Sequence, residues 1–182
     1  MYEVEIKVDH PHGPIRERLQ ELGAIEAGKI DQTDQYFDHV ERSFERTDEA
    51  LRLRRIEPLA DDTDSTVELT YKGPRIGEAA KTRAEHTIAV DDLESATTIL
   101  SELGFDPVAR VHKRRERFKL EDTLICLDTV TGLGEWIEVE VTSESADNAT
   151  AATVLESTLD RLGIDEETGL TTSYLELQLA NT

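Results

Sequence analysis

The sequence predicts an α+β protein in which a curved or closed antiparallel sheet encloses charged side chains and helices pack outside it. Three observations support this prediction. Strand-like segments dominate the chain and occur in two runs, each a strand, a helix and further strands. Most of these strands alternate apolar with charged residues, as half-buried strands do. The helical segments are amphipathic, so they should cover the apolar strand faces and leave the charged faces inside.

The first predicted strand, residues 1–9, carries its charges on one face. Because successive strand side chains alternate, Glu3, Glu5 and Lys7 share one face and apolar residues occupy the other. Taken alone, this segment could be an edge strand with a solvated charged face. We favour an inward charged face because several later strands repeat the pattern.

The rest of the first run follows from spacing and from turn residues. The predicted elements are a turn at 10–14 that holds His10 and His12, a helix at 15–22 ended by Gly23, an extended segment at 24–39, a polar loop at 40–48, and strands at 49–57 and 66–72. In the strand at 49–57, Arg52 and Arg54 point away from the apolar face. The two arginines are therefore candidates for the charged interior.

The second run repeats the layout. The predicted elements are a strand at 81–90, a helix at 92–103 with Asp91 or Asp92 as its N-cap and Gly104 as its end, a long strand or strand pair at 105–120, strands at 123–130 and 134–142, a helix at 146–162 and a short final helix at 170–180. Gly132 and Gly134 indicate a hairpin between the two strands that they separate.

Composition limits the function as well as the fold. The length of 182 residues predicts one domain, or one domain with a helical appendage, and we assign 1–182 to a single domain. We expect a monomer or a homodimer. No apolar run approaches the roughly 20 residues of a membrane span, and the N-terminus lacks a signal pattern. A single cysteine, Cys126, excludes a disulfide framework. We expect this cysteine to be a buried packing residue. We therefore expect a cytoplasmic protein with no membrane partner.

The net charge is −20, from 40 acidic and 20 basic residues. Such a charge repels nucleic acid, so no nucleic-acid partner is expected. It suits a cytosol of high ionic strength, where salt screens surface repulsion, and a halophilic source is one hypothesis. An ordinary acidic surface is the alternative.

Charges of both signs on inward strand faces imply a charged ligand, because buried unpaired charges are too costly. The carboxylates need cations, and the arginines and lysines need an anion. Mg²⁺ or Mn²⁺ together with a polyphosphate satisfies both, since these ions prefer oxygen ligands and a guanidinium binds two phosphate oxygens at once. The acids are Glu3, Glu5, Glu68, Glu85, Asp128, Glu138 and Glu140, and the bases are Lys7, Arg52, Arg54, Lys72, Arg83, Lys113 and Arg115.

Short motifs that follow one another along nearly the whole chain carry a family resemblance. They are ExExK at Glu3–Lys7, LRxR at Leu51–Arg54, TxKG at Thr70–Gly73, RxE at Arg83–Glu85, KxR at Lys113–Arg115, Asp128 followed by an LGxxxExE segment at Leu133–Glu140, and SYxxL at Ser173–Leu177. Together they resemble the CYTH family, also called triphosphate tunnel metalloenzymes, which includes class IV adenylate cyclases and thiamine triphosphatases. Trp136 stands where the family usually has phenylalanine, a departure that leaves the metal-site interpretation intact.

The resemblance implies an antiparallel eight-stranded β-barrel, the triphosphate tunnel, with helices packed outside. It implies two Mg²⁺ or Mn²⁺ ions held by Glu3, Glu5, Asp128, Glu138 and Glu140. It implies a triphosphate held by Lys7, Arg52, Arg54, Lys72, Lys113 and Arg115, with Arg83 either another phosphate ligand or the partner of Glu85 in a salt bridge. The catalytic set would be Glu3, Glu5, Lys7, Arg54, Glu138 and Glu140, and Tyr174 could close one tunnel mouth.

Three functions follow from this resemblance. The segment Gln32–Phe37 resembles the QxDxYF of the class IV cyclase branch, which favours an enzyme that converts ATP into cyclic AMP and pyrophosphate. The first alternative is a triphosphatase acting on inorganic triphosphate, thiamine triphosphate or nucleoside triphosphates. The second is a non-catalytic triphosphate binder. The residues named above serve all three functions, so the sequence leaves the choice open.

Overall fold

The computed structural model describes residues 2–60, 64–74, 84–143 and 149–181, apart from the side chains of residues 2, 3, 143, 149 and 166. Within these residues, eight strands form one antiparallel sheet in the order β1-β8-β7-β6-β2-β3-β4-β5. The strands are β1 (Tyr2–Asp9), β2 (Ile25–His39), β3 (Ala50–Pro58), β4 (Thr66–Lys72), β5 (Glu85–Val90), β6 (Phe105–Leu120), β7 (Thr123–Val130) and β8 (Gly134–Ser143). The predicted α+β class and the predicted eight antiparallel strands are confirmed.

Five α-helices accompany the sheet in the described chain: α1 (His12–Glu21), α2 (Phe44–Thr47), α3 (Leu93–Glu102), α4 (Ala149–Leu162) and α5 (Tyr174–Ala180). A short 3-10 helix, Glu166–Thr168, precedes α5. Asp92 caps α3 by accepting a hydrogen bond from the Ser95 amide. Gly104 follows α3 with a φ of 87°, a left-handed conformation that glycine adopts without strain. None of the helices in these ranges is long and apolar enough to cross a membrane.

The apolar strand faces pack against helices, as the alternation predicted. Val4 and Val8 of β1 lie in a core that also contains the inward side chains of α1 and α4. A second core joins Leu51 and Leu53 of β3 to Leu100 of α3. Because these faces are turned towards the helices, the charged residues of the same strands lie on the opposite face of the sheet.

Helix α5 is the exception to helices packed outside. Its first residue, Tyr174, is buried with Val111, Val130 and Trp136, which lie on the same strand faces as the charged residues. Leu170, just before α5, exchanges two backbone hydrogen bonds with Lys7 of β1, of 2.9 and 2.7 Å. The C-terminal segment thus covers part of the β1 edge and packs against the inner face.

Closure of the sheet into a barrel is not confirmed. Among the described residues, β1 and β5 are the two edges of the sheet and no ladder joins them. The sheet nevertheless curves strongly. The evidence is that side chains from both edge strands line the same cavity.

Two segments predicted as non-helical are helical in part. His12, predicted in a turn, begins α1 and is buried, and its backbone amide donates a 3.1 Å hydrogen bond to the Glu135 carboxylate. Within the predicted polar loop at 40–48, Ser43 caps α2 and Phe44 is buried in the second core. In both cases, tertiary contacts hold a short turn of helix that local sequence does not signal. Of the strand predicted at 81–90, residues 81–83 lie outside the described residues.

Candidate active site

The inner face of the sheet surrounds a cavity of about 800 Å³. Seven of the eight strands contribute charged side chains to its lining, and both signs of charge are present. The lining includes Glu5, Lys7, Asp34, Arg52, Arg54, Lys72, Glu85, Lys113, Arg115, Glu138 and Glu140. A cavity with this lining attracts multiply charged ligands rather than apolar ones.

Three carboxylates converge where β1 pairs with β8. The register places Glu5 opposite Glu140 and Lys7 opposite Glu138. One carboxylate oxygen from each of Glu5, Glu138 and Glu140 lies within 4.8 Å of the other two. Such close like charges repel unless cations lie among them.

Lys7 is one of those cations. Its Nζ lies 2.8 Å from a Glu5 oxygen and 3.0 Å from a Glu138 oxygen. Burial lowers the pKa of Lys7, but the two carboxylates outweigh burial and hold the pKa well above its ordinary value. Lys7 therefore stays protonated at any physiological pH.

Arg115 is the second cation, and it bridges three carboxylates. It donates two hydrogen bonds to Asp128, of 2.7 and 2.6 Å, one to Glu138 of 2.5 Å and one to Glu140 of 2.9 Å. Burial raises the pKa of Glu138, but Arg115 and Lys7 more than offset this, so the pKa lies well below its usual range. The Glu138 carboxylate is thus ionised at neutral pH.

Asp128 pairs with Arg115 and is not one of the three converging carboxylates. Besides Arg115, it accepts hydrogen bonds from Lys113 Nζ at 3.2 Å and from the Tyr174 hydroxyl at 2.9 Å. Burial raises the pKa of the Tyr174 hydroxyl well above its ordinary value, with the neighbouring carboxylates of Glu138 and Asp128 adding to the effect. The Tyr174 hydroxyl therefore remains a neutral hydrogen-bond donor. Its hydrogen bond to Asp128 attaches α5 to the inner face of the sheet.

A second ion-pair cluster lies across the cavity, where β2 pairs with β3. Arg54 donates two hydrogen bonds to Asp34, of 2.6 and 2.7 Å, and an Arg52 nitrogen lies 3.6 Å from the same carboxylate. Burial raises the pKa of Asp34, but the two arginines outweigh it and leave the pKa far below its usual range. Within the described chain, the Nε of Arg52 is buried and has no hydrogen-bond partner. This donor could meet an oxygen of a bound anion.

Two further lysines complete the cationic lining. Lys72 of β4 forms an ion pair with Glu85 of β5. Burial lowers the pKa of Lys113, and Arg115 lowers it further, so the pKa lies below its ordinary value despite the nearby Asp128. A bound anion would favour the charged form of Lys113.

The structure brings together most of the residues that the sequence singled out. Glu5, Lys7, Arg52, Arg54, Lys72, Lys113, Arg115, Glu138 and Glu140 line one cavity, and Asp128 supports it from below. Glu3 lies on β1 opposite Thr142, but its side chain is outside the description, as is all of Arg83. The roles assigned to these residues in metal and phosphate binding remain predictions.

Sequence reasoning missed Asp34 as a site residue. The segment Gln32–Phe37 was used only to favour the class IV cyclase branch, and no role in the site was assigned to Asp34. The available signal was strand phase: Gln32, Asp34 and Tyr36 alternate with outward residues, and Gln32 and Asp34 are both buried. A buried aspartate in a strand needs a cationic partner, and β3 supplies two.

Comparison with known proteins places this architecture in a family. A Methanocaldococcus jannaschii protein named "Putative adenylate cyclase" is 37% identical over 180 residues, which cover 98% of this chain and 99% of that protein. A solved structure from Pyrococcus horikoshii OT3 is 37% identical, superposes with a TM-score of 0.89 and covers 99% of both chains.

A Hippeastrum protein shares the fold at greater distance. It is 16% identical with a TM-score of 0.71, over 100% of this chain and 96% of its own, and is described as a "putative adenylyl cyclase" with a dominant triphosphatase activity. The CYTH domain family itself matches residues 1–174. The chain therefore belongs to the CYTH domain family.

Proposed function

We propose that this protein is a metal-dependent class IV adenylate cyclase that converts ATP into cyclic AMP and pyrophosphate. One observation carries the proposal: a converging set of carboxylates and a set of arginines and lysines line the same cavity. Divalent ions would bind to the carboxylates, and a triphosphate would bind to the arginines and lysines. Full-length similarity to a protein named as a cyclase and the segment Gln32–Phe37 support ATP as the triphosphate.

The carboxylates fit Mg²⁺ or Mn²⁺. Glu5, Glu138 and Glu140 offer oxygen atoms, the ligands that these ions prefer, and all three atoms lie close enough to contact one ion. We assign metal binding to these three residues and, on the family resemblance, to Glu3. We assign Asp128 a positioning role, because Arg115, Lys113 and Tyr174 all donate to its carboxylate.

The charge balance of the cavity supports divalent ions together with an anion. Among the described residues, the six arginines and lysines of the lining form ion pairs with six carboxylates. The bases are Lys7, Arg52, Arg54, Lys72, Lys113 and Arg115, and the acids are Glu5, Asp34, Glu85, Asp128, Glu138 and Glu140. Five further acidic residues line the cavity: Asp38, Glu45, Asp48, Glu49 and Glu176. A triphosphate alone would therefore add to an excess of negative charge, and two divalent ions bound with it would offset the charge of the phosphates.

In the proposed reaction, the ribose 3′-oxygen attacks the α-phosphorus in line, and the bond from that phosphorus to the bridging oxygen of the leaving pyrophosphate breaks. The proton of the 3′-hydroxyl is released to solvent. The arginines and lysines hold the phosphates and stabilise negative charge that develops on their oxygens. Arg52 and Arg54 are held in place by Asp34, and Arg115 by Asp128, so their donors are oriented before substrate binds. A divalent ion bound at the carboxylates would screen phosphate charge and lower the pKa of the attacking hydroxyl.

The curved sheet would work as a tunnel although β1 and β5 share no ladder among the described residues. Glu5 of β1 and Glu85 of β5 line the same cavity, so both edge strands contribute side chains to its wall. We propose that a bound triphosphate, contacting cations from both halves of the sheet, strengthens this closure.

Hydrolysis of a triphosphate is the second candidate function. The same residues would hold the phosphate chain for attack by water on the γ-phosphorus. The Hippeastrum protein, which shares the fold, is described with a dominant triphosphatase activity. What separates the two reactions is whether ribose and base are oriented beside the α-phosphate.

The experiment offers ATP, inorganic triphosphate and thiamine triphosphate to the purified protein in parallel, with Mg²⁺ or Mn²⁺, and identifies products by mass. Cyclic AMP and pyrophosphate from ATP are expected. Orthophosphate from inorganic triphosphate with no cyclic AMP, over a range of pH, metal and salt, would replace the cyclase with the triphosphatase. Tight binding of all three without turnover would leave a triphosphate binder.

A further inference from the structure

The inner face of β6 continues beyond the cavity. Four basic residues alternate with outward residues along this strand: Lys113, Arg115, Arg117 and Lys119. The first two line the cavity, whereas the last two do not. At about 3.3 Å per residue, Arg117 lies roughly 20 Å along the strand from Val111, which packs against Tyr174 of α5. Arg117 is therefore at the end of the inner face that is remote from α5.

Arg117 differs from the two basic residues that precede it on this face. Arg115 pairs with three carboxylates, and Lys113 pairs with Asp128. Among the described residues, no carboxylate lies within ion-pair distance of Arg117, and its Nε is buried and has no hydrogen-bond partner. A buried donor without a partner lowers the free energy of unfolding. A bound anion would remove this cost.

The neighbouring strand is shaped around Arg117. The pairing of β2 with β6 shifts register between Glu26 and Lys29, and two residues of β2 face Arg117 there, as in a β-bulge. One of them, Gly28, has a φ of 96°, which glycine adopts without strain. A Cβ at Gly28 would lie 3.5 Å from Nη2 of Arg117, so glycine leaves the space beside the guanidinium open.

Lys119 adds a second positive charge at this end of the sheet. It is exposed and, within the part of the chain that the structure describes, it forms no ion pair. Its side chain starts on the same face as that of Arg117, roughly 7 Å further along the strand. A guanidinium binds two oxygens of a phosphate at once, and an ammonium group nearby adds attraction.

Arg117 is reached from outside the cavity. It is half-buried, so part of its side chain meets solvent, yet it does not line the cavity. Along β6, Arg115 lies between Arg117 and the cavity residue Lys113, and three carboxylates already bind Arg115. An anion at Arg117 would therefore occupy a different place from a triphosphate in the cavity.

We propose that Arg117 and Lys119 form a second anion site that binds orthophosphate, at the end of the inner face remote from α5. The guanidinium holds the phosphate oxygens, and its Nε gains the partner that it lacks. Orthophosphate at this site and triphosphate in the cavity can be bound at the same time. The inference goes beyond the proposed function, because it requires neither ATP nor cyclisation.

The test titrates orthophosphate into the full chain in EDTA, with and without saturating inorganic triphosphate, and measures dissociation constants by calorimetry. The chelator removes the divalent ions that the proposed reaction needs, and mass spectrometry of the recovered ligand checks that triphosphate is not consumed. Saturable binding of orthophosphate is expected with triphosphate present. Arg117→Gln should weaken this binding by about 10- to 100-fold, because charge-assisted hydrogen bonds are lost. Lys119→Gln should weaken it by about twofold to fivefold, as expected for an exposed charge.

Arg110→Gln is the matched control. Arg110 lies on the same strand, is exposed on the outer face and, like Lys119, forms no ion pair with any described residue. Its replacement should leave orthophosphate binding unchanged. Because Arg117 has no partner to lose among the described residues, Arg117→Gln should keep the melting temperature of the parent, which separates loss of binding from loss of structure.

Equal binding of orthophosphate by the parent and Arg117→Gln would overturn the second site. So would orthophosphate that binds only when triphosphate is absent, because the two anions would then share the cavity. Failure of the proposed function is a separate result. A protein that makes no cyclic AMP but loses orthophosphate binding in Arg117→Gln would keep the second site and lose the cyclase.

Discussion

Asp34→Asn tests the ion-pair cluster that orients two of the proposed phosphate-binding arginines. The substitution keeps the size of the side chain and removes its charge. Asp34 is 3% exposed, accepts two short hydrogen bonds from Arg54 and lies 3.6 Å from Arg52. Asparagine retains one acceptor oxygen, so one charge-assisted hydrogen bond and the attraction to both guanidinium groups are lost.

The expected cost is about 3 kcal/mol of unfolding free energy, near the lower end for a buried ion pair that loses one partner. In a chain of this size, that cost lowers the melting temperature by about 6–12 °C. The sign of the pH dependence follows from the depressed pKa of Asp34 in the folded state. Stability from this group is fully present above the unfolded pKa of about 4 and is lost as pH falls towards the folded pKa. The difference between parent and variant should therefore shrink on acidification.

Urea unfolding at pH 7 measures the cost, and Asp31→Asn is the control. Asp31 lies on the outer side of the same strand and contacts His112 and the largely exposed Arg114. A partly exposed ion pair of this kind contributes less than about 1 kcal/mol. Saturating inorganic triphosphate should restore part of the stability lost in Asp34→Asn, because the anion replaces the missing charge beside the arginines. The reasoning is refuted if Asp34→Asn costs no more than Asp31→Asn.

Three further predictions concern the metal, the phosphates and the surface charge. Glu5→Gln should lower Mn²⁺ affinity by at least about tenfold in calorimetry, and unchanged affinity would remove Glu5 from the metal site. Arg54→Ala should weaken binding of inorganic triphosphate by about 10- to 100-fold, whereas Arg55→Ala, on the outer face beside Glu57, should leave it unchanged. Because the net charge is −20, the melting temperature should rise from low to molar KCl, and a flat response would count against the halophilic hypothesis.

The fold could be predicted because its main signal is local. In β1, the alternation of Glu3, Glu5 and Lys7 with apolar residues fixes which residues share a face, whatever the strand pairs with. The amphipathic helices then decide which face is turned inward. Two strand–helix runs followed from the same kind of evidence, and the structure confirms their order.

Pairing between distant residues could not be predicted in the same way. Asp34 meets Arg54 because of the β2–β3 register, and register depends on turn geometry that the sequence does not specify. Asp128 was grouped with the metal ligands because the family resemblance implied that role. Only the structure shows Arg115, Lys113 and Tyr174 donating to it. Helix α2 is too short for periodicity to reveal and depends on burial of Phe44.

A crystal structure of the protein with Mn²⁺ and inorganic triphosphate is the most direct test of the central claim. We expect anomalous density for Mn²⁺ at coordination distance, roughly 2.0–2.5 Å, from oxygens of Glu5, Glu138 and Glu140, with the phosphates contacting Arg52, Arg54 and Arg115. Manganese bound away from these carboxylates, or triphosphate bound outside the cavity, would contradict the proposed site.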